Sequence, residues 1–139
     1  MKFLVGYTGT TVAKAALALA REHALQFKAH VVIVTSMEGG SSEKPEDISH
    51  VEGDLKEAKQ FMQDRGVSCE THQLVRGLSP GEDLVLFARE KDIDLMFVGI
   101  RKKSRTQKLI LGSTAQFIIL KAPCPVITLR QDFNFKNGI

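Results

Sequence analysis

Short apolar segments alternate with longer amphipathic ones along most of this chain. The apolar segments at residues 3–6, 31–35, 93–99 and 126–129 predict β-strands, and a fifth strand, at 67–75, has a less complete apolar face. The segment Val31-Val-Ile-Val-Thr35 is continuously apolar and β-branched, as in a strand that is covered on both faces of its sheet. The sequence therefore predicts a sheet with helices packed on both sides.

The segments between the strands have helical periodicity. The first helix has an apolar face formed by Ala13, Leu17, Ala20, Ala24 and Phe27. The second begins at Pro45, ends at the C-cap glycine Gly66 and buries a stripe made of Ile48, Val51, Leu55, Ala58 and Met62. Ser79-Pro-Gly-Glu82 is a capping-box sequence that opens a third helix extending to about Lys91, and a fourth helix is predicted at 113–121.

The order β-α-β-α-β-α-β-α-β favours an α/β fold, with one doubly wound parallel sheet and helices on both faces. A length of 139 residues fits one domain, so we expect a single domain over 1–139 with a C-terminal tail at 131–139. In such sheets, ligands bind beyond the carboxyl ends of the strands, where the strand order reverses. The candidate loops follow the first strand, at Gly6-Tyr-Thr-Gly9, and the fourth, at Gly99.

Charge is unevenly distributed along the chain. The net charge is +3, yet residues 95–131 contain seven of the 19 basic residues and none of the 16 acidic ones. A local basic cluster fits a small anion better than nucleic acid, which favours a broader basic face with stacking aromatic residues. No apolar run approaches membrane-spanning length, and no signal-peptide pattern precedes the first strand. We expect a cytoplasmic protein with reduced thiols at Cys69 and Cys124 that binds neither nucleic acid nor membrane.

The strongest functional signal is a pair of glycines around a basic loop. Gly99 ends the fourth strand, and Gly112-Ser113-Thr114 opens the fourth helix thirteen residues later. A helix N-terminus presents unpaired backbone N–H groups and a partial positive charge, which favours phosphate binding. Two simpler explanations remain, because such a loop needs a glycine for its own geometry and a basic loop is often only a solvated surface.

Four segments resemble the universal stress proteins: the glycine loop, Arg76-Gly-Leu-Ser-Pro80, Asp94-Leu-Met-Phe-Val-Gly99 and Ala122-Pro-Cys-Pro-Val126. The resemblance extends from Lys2 to Arg130. It implies a five-stranded sheet with strand order 3-2-1-4-5 and a homodimer paired through the last strand, Val126-Ile-Thr-Leu129. It also implies that ATP or AMP is bound through the pattern Gly-x2-Gly-x9-Gly-Ser/Thr, with Mg²⁺ accompanying ATP.

The sequence departs from the family pattern at two positions. Lys102 replaces the middle glycine, and Thr8 stands where many nucleotide-binding relatives have an aspartate beside the nucleotide. A lysine loses the close backbone approach that glycine allows, while its ammonium can pair with a phosphate. The resemblance assigns adenine and ribose contacts to Tyr7, Thr8, Ser36 and Val98. It assigns phosphate contacts to Gly99, Lys102, Gly112, Ser113 and Thr114, with Arg101 adjacent.

Other chemistry has weaker support in the sequence. The four histidines lie in different predicted elements and form no local metal-ligand pair, and Ser113 has no neighbouring base that would mark a nucleophile. Tyr7 either stacks on a purine or covers the groove as a surface aromatic. We expect a stress-response module that binds an adenine nucleotide at the loops after strands one and four, with at most slow ATP hydrolysis. The alternative is a dimeric stress-response interaction protein that binds no nucleotide.

Overall fold

Five strands and four helices alternate along residues 1–39, 44–100 and 111–130, the part of the chain that this computed structural model describes. The elements are β1 (Lys2–Gly6), α1 (Thr11–Phe27), β2 (His30–Met37), α2 (Pro45–Gln63), β3 (Cys69–Val75), α3 (Pro80–Glu90), β4 (Leu95–Ile100), α4 (Ser113–Lys121) and β5 (Val126–Arg130).

The strands form one parallel sheet in the order β3-β2-β1-β4-β5. This confirms the predicted fold class and strand order. The chain builds outward from β1 to one edge through β2 and β3, then returns to the other side of β1 to add β4 and β5. The strand order therefore reverses between β1 and β4, whose carboxyl ends frame the crevice in which ligands bind in sheets of this type.

Alternate residues of the central strands supply two cores, one on each face of the sheet. Phe3, Val5 and Ile33 belong to the core that includes residues of α1 and α2. Leu4 and Val32 belong to the core formed with α3 and α4. All five side chains are at most 2% exposed, as expected for strands covered on both faces.

In each of the first two helices, the predicted apolar face includes an end residue that is exposed to solvent. Phe27, the last residue of α1, is 55% exposed, and its ring makes an edge contact with the Phe3 ring at 6.3 Å between centroids. Ile48 is 38% exposed because it lies in the first turn of α2. Helix α2 also ends earlier than predicted, at Gln63. Gly66 therefore lies in the following turn, with a φ of +72° that favours glycine.

Helix α3 begins where the sequence predicts, but its capping box does not form as expected. Pro80 is the first helical residue and Ser79 is the N-cap. The Ser79 hydroxyl donates to the Glu82 carboxylate at 3.0 Å, so the two side chains bond each other instead of the backbone N–H groups. Cys69 and Cys124 are free thiols, as predicted. Both are half-buried, and this burial raises the pKa of each thiol.

Candidate functional site

A cavity of about 310 Å³ opens at the carboxyl ends of β1 and β4. The ends of β1, β2 and β4 form its floor, and the first turns of α1, α3 and α4 contribute its walls. Eight of the ten residues predicted to bind a ligand line this one cavity: Tyr7, Thr8, Ser36, Val98, Gly99, Gly112, Ser113 and Thr114. The other two, Arg101 and Lys102, lie outside the described residues.

The N-terminus of α4 gives one end of the cavity the character of an anion site. No acceptor in the described part of the chain is bonded to the backbone N–H of Ser113, Thr114 or Ala115. The first turn is held in place because Gln116 donates from its backbone to Gly112 O at 3.0 Å and from its side chain to Leu111 O at 3.2 Å. This turn contains no acidic side chain. Free N–H groups and the helix dipole therefore favour a negatively charged group here.

The two glycines of the loop pattern have different structural reasons. A Cβ at Gly99 would lie 2.9 Å from both Val12 Cγ2 and Val12 O, so β4 needs a glycine where α1 crosses it. Gly112 has a φ of −67°, which any residue adopts. Packing thus accounts for Gly99 without a ligand, whereas Gly112 is the N-cap of α4.

Tyr7 directly follows β1 and is only 4% exposed. Its backbone N–H donates to Val34 O at 2.9 Å, and its carbonyl accepts from the Thr35 hydroxyl at 2.6 Å. Burial raises the pKa of its phenol, and the nearby Asp54 and Glu57 carboxylates raise it further. Of the two alternatives for Tyr7, the surface aromatic is therefore wrong, because the ring belongs to the core while the residue lines the cavity.

Two threonine hydroxyls lie together in the loop after β1. The Thr8 and Thr10 hydroxyls lie 3.0 Å apart, and Thr10 caps α1 by accepting from the backbone of Ala13 at 3.3 Å. Gly9 has a φ of +74°, and a Cβ there would come within 2.5 Å of Asp54 Oδ2. An acidic side chain from α2 thus lies against this loop, which the sequence pattern gave no reason to expect.

An ionic network built on one buried carboxylate lies directly behind the cavity wall. Asp83 on α3 is fully buried, and its two carboxylate oxygens accept from Ser36 Oγ and from Arg76 Nε, each at 2.6 Å. Arg76 also donates to both carboxylate oxygens of Glu90, at 2.9 and 3.1 Å. Burial lowers the pKa of the Arg76 guanidinium, but the hydrogen bonds to Asp83 and Glu90 outweigh this effect and leave the pKa raised.

Sequence reasoning missed Asp83 and gave Arg76 no role. Arg76 belongs to a segment that resembles the family, but its partner lies one helical turn into α3. An acidic residue in the first turn of a helix is ordinarily explained by the helix dipole. Only the fold shows that this carboxylate points inward to Ser36, 47 residues earlier in the sequence.

The described residues offer neither a metal site nor a membrane-spanning helix. They contain no group of three or more histidine, cysteine, aspartate or glutamate side chains arranged to hold a metal ion. None of the helices described is both long enough and apolar enough to cross a membrane.

The sequence profile described as the universal stress protein family matches residues 1–130. The chain belongs to the universal stress protein family. It is 32% identical over 126 residues to a universal stress protein of Methanocaldococcus jannaschii, covering 86% of this chain and 73% of that protein. A universal stress protein of Mycolicibacterium smegmatis is 35% identical over 78 residues, which are 56% of this chain. The chain spans about three fifths of that second relative, because the match covers 59% of its length.

Solved structures of universal stress proteins share the fold. A universal stress protein from Archaeoglobus fulgidus has 38% sequence identity and a TM-score of 0.78, with 91% of this chain and 90% of that chain covered. A structure of the universal stress protein from Archaeoglobus fulgidus in complex with dAMP has 34% identity and a TM-score of 0.74, with coverage of 91% and 94%. Family membership and fold thus agree between sequence and structure.

Proposed function

We propose that this universal stress protein binds an adenine nucleotide, ATP or AMP, in the cavity at the carboxyl ends of β1 and β4. One observation carries the proposal: the N–H groups at the α4 N-terminus have no bonded acceptor among the described residues, and they lie at a cavity whose remaining walls are largely apolar. A nucleotide has the same two parts, an anionic phosphate and a flat apolar base. A cavity of about 310 Å³ is also within the usual size range of small-molecule sites.

We propose a place in the cavity for each part of the nucleotide. The phosphate would lie at Gly112, Ser113 and Thr114, where the helix dipole and the N–H groups act together. The base would lie toward β2 and α3, where Val34 and Leu84 offer apolar contact and Ser36 a hydroxyl. The sugar would then lie between these ends, next to the Thr8 loop.

A relative supports this choice of ligand. The universal stress protein of Archaeoglobus fulgidus that was solved in complex with dAMP is 34% identical to this chain over most of both chains. Its ligand contains an adenine and a single phosphate. Transfer of this property rests on the shared fold and on the eight cavity residues, while Thr8 and Lys102 are the positions at which this chain departs from the family pattern.

Calorimetric titration of the protein with ATP, AMP and cyclic AMP tests the proposal. We expect saturable binding of ATP or AMP with one site per chain. Lys102→Ala should weaken ATP more than AMP, and the difference should shrink at high salt because ion pairs with phosphate are screened. If ATP binds only with Mg²⁺, the metal is held through the phosphates. Absence of binding for all three nucleotides would overturn the proposal and favour the interaction-protein alternative.

We also propose that the protein is a homodimer paired through β5. This strand is the last of the sheet, and no other strand in the described part of the chain pairs with its outer edge. An uncovered edge of apolar and β-branched residues favours pairing with another chain. A cytoplasmic location remains a prediction from the sequence.

A further inference from the structure

The Ser36 hydroxyl is a polar group of the cavity wall whose proton is already used. Ser36 Oγ donates to Asp83 Oδ2 at 2.6 Å. A serine hydroxyl has one proton and two lone pairs, so in this arrangement it offers only lone pairs to the cavity. Ser36 can therefore accept a hydrogen bond from a ligand but cannot donate one.

The residues behind Ser36 keep its hydroxyl in this orientation. Asp83 is fully buried, and its second oxygen accepts from Arg76 Nε at 2.6 Å. The Arg76 guanidinium has only donors and is itself held by Glu90 at 2.9 Å. A carboxylate bonded to a guanidinium is an acceptor on both oxygens, so it takes the serine proton and gives none back. Asp83 and Arg76 thus fix the direction in which the Ser36 hydroxyl donates its hydrogen bond.

We infer that Ser36, held as an acceptor by Asp83 and Arg76, makes the site select a 6-aminopurine over a 6-oxopurine. The inference rests on the proposed nucleotide site. Strands are about 4.8 Å apart, so β2 lies about 10 Å across the sheet from β4, and the end of the ligand farthest from the phosphate reaches Ser36. The 6-amino group of adenine donates to the Ser36 oxygen, whereas the 6-oxo group of hypoxanthine only accepts and would face it unpaired.

Titration with AMP and IMP tests the inference, because the two ligands have the same sugar and phosphate and differ only in the 6-substituent and in the neighbouring N1, which is an acceptor in adenine and bears a hydrogen in hypoxanthine. The wild type should bind AMP at least about tenfold more tightly than IMP, since one good hydrogen bond is replaced by two facing acceptors. In Ser36→Ala this ratio should fall to about twofold or less, mainly through weaker AMP binding. Ser68→Ala is the matched control, because Ser68 is exposed and lies away from the cavity. It should keep the wild-type ratio.

Asp83→Asn gives a second test with an opposite result. Arg76 Nε still needs an acceptor, so the new amide should turn its oxygen to Arg76 and its NH₂ group to Ser36. Ser36 then accepts from the amide, and its proton becomes free to point into the cavity. The preference should reverse, with IMP bound more tightly than AMP. A circular dichroism melt of each variant shows whether it is folded, and Ser36→Ala alone decides the question if Asp83→Asn does not fold.

The outcomes separate this inference from the proposed function. Wild-type protein that binds AMP and IMP equally, or Ser36→Ala protein that keeps the full wild-type ratio, overturns the selectivity inference and leaves the nucleotide site standing. Equal loss of AMP and IMP in Ser36→Ala would place the hydroxyl on the sugar and also overturn it. Wild-type protein that binds neither nucleotide overturns the proposed function, and the inference with it.

Discussion

At the residue scale, the glycines of this fold differ in what they contribute, and the difference can be measured. A Cβ at Gly99 would lie 2.9 Å from the Val12 carbonyl oxygen, which is backbone and cannot turn aside. We expect Gly99→Ala to lower the free energy of unfolding by about 1–3 kcal/mol, the usual cost of overpacking. Urea denaturation measures this change.

Gly53 provides the matched control for that substitution. It lies inside α2, and a Cβ built there meets no atom within 4 Å. Gly53→Ala should therefore raise the free energy of unfolding by about 0.5–1 kcal/mol, because alanine loses less conformational entropy in a helix than glycine. If both substitutions changed stability equally, the close contact with Val12 would not be the reason for Gly99.

Glu70 lies between two histidines and gives a prediction about pH. Its carboxylate bonds His72 Nε2 at 2.5 Å and His30 Nε2 at 2.8 Å, and these hydrogen bonds, that to His72 first, lower its pKa. A lowered pKa stabilises the fold above the ordinary glutamate value of about 4.3, and the stabilisation is lost as the pH falls through the lowered pKa. The side chain is 45% exposed, so the effect should stay below about 1 kcal/mol.

Urea denaturation of Glu70→Gln and of the wild type at several pH values tests whether the ionised Glu70 stabilises the fold. The variant should unfold at lower urea concentration than the wild type at pH 5, and the difference should shrink at pH values below 4. Glu52→Gln, on the exposed side of α2, is the control and should show no such trend. A difference for Glu70→Gln that grew as the pH fell would contradict the assignment.

At the element scale, the sequence predicts most helices and strands well and the polar network poorly. Helix α4 lies at the predicted residues, and the central strands differ by one or two residues, because periodicity and caps are local signals. The contact between Ser36 and Asp83 joins β2 to α3, and no local pattern encodes it. The exposure of Phe27 was not predicted for the same reason. The sequence shows the apolar face of α1 but not where the core beneath that face ends.

The N-terminus of α4 is the element on which the proposed phosphate contact depends. Gly112 is the N-cap of α4 and has backbone angles open to any residue, so Gly112→Val should leave the protein folded and lower the free energy of unfolding by about 1 kcal/mol, the usual cost of a poorer N-cap. We expect the valine side chain to lie next to the N–H groups of Ser113 and Thr114, which have no bonded acceptor among the described residues, and to obstruct a phosphate there. We expect at least a tenfold loss of AMP affinity in calorimetric titration. Wild-type affinity in this variant would show that the phosphate is bound elsewhere.

At the scale of the whole molecule, the alternation of elements predicts a parallel sheet but does not give the order of its strands. Many orders are compatible with five strands joined by helices, and the order 3-2-1-4-5 was expected only through the resemblance to the family. The structure adds what neither source supplied, namely the register of β5 on β4, which determines which of its N–H groups point toward β4. This detail decides how the proposed dimer can be tested.

The inner and outer backbone groups of β5 follow from its register. Met96 pairs with Val126 and donates to Pro125 O at 3.0 Å. Alternate residues of a parallel strand bond the same neighbour, so the N–H groups of Ile127 and Leu129 face β4, and that of Thr128 faces outward. Proline is tolerated in an edge strand when its missing N–H is an outward one. Position 128 is therefore the place to break an intermolecular ladder without breaking the sheet.

Thr128→Pro should convert the proposed dimer into a folded monomer. Two β5 strands related by a twofold axis would pair antiparallel, and the substitution removes an outward donor from each copy. We expect the wild type to sediment as a dimer at micromolar concentration, and Thr128→Pro to sediment as a monomer with an unchanged circular dichroism spectrum. Ile127→Pro is the contrasting variant, because it removes an inward hydrogen bond and should destabilise the fold itself. A monomeric wild type, or a Thr128→Pro protein that remains dimeric, would place the interface away from β5.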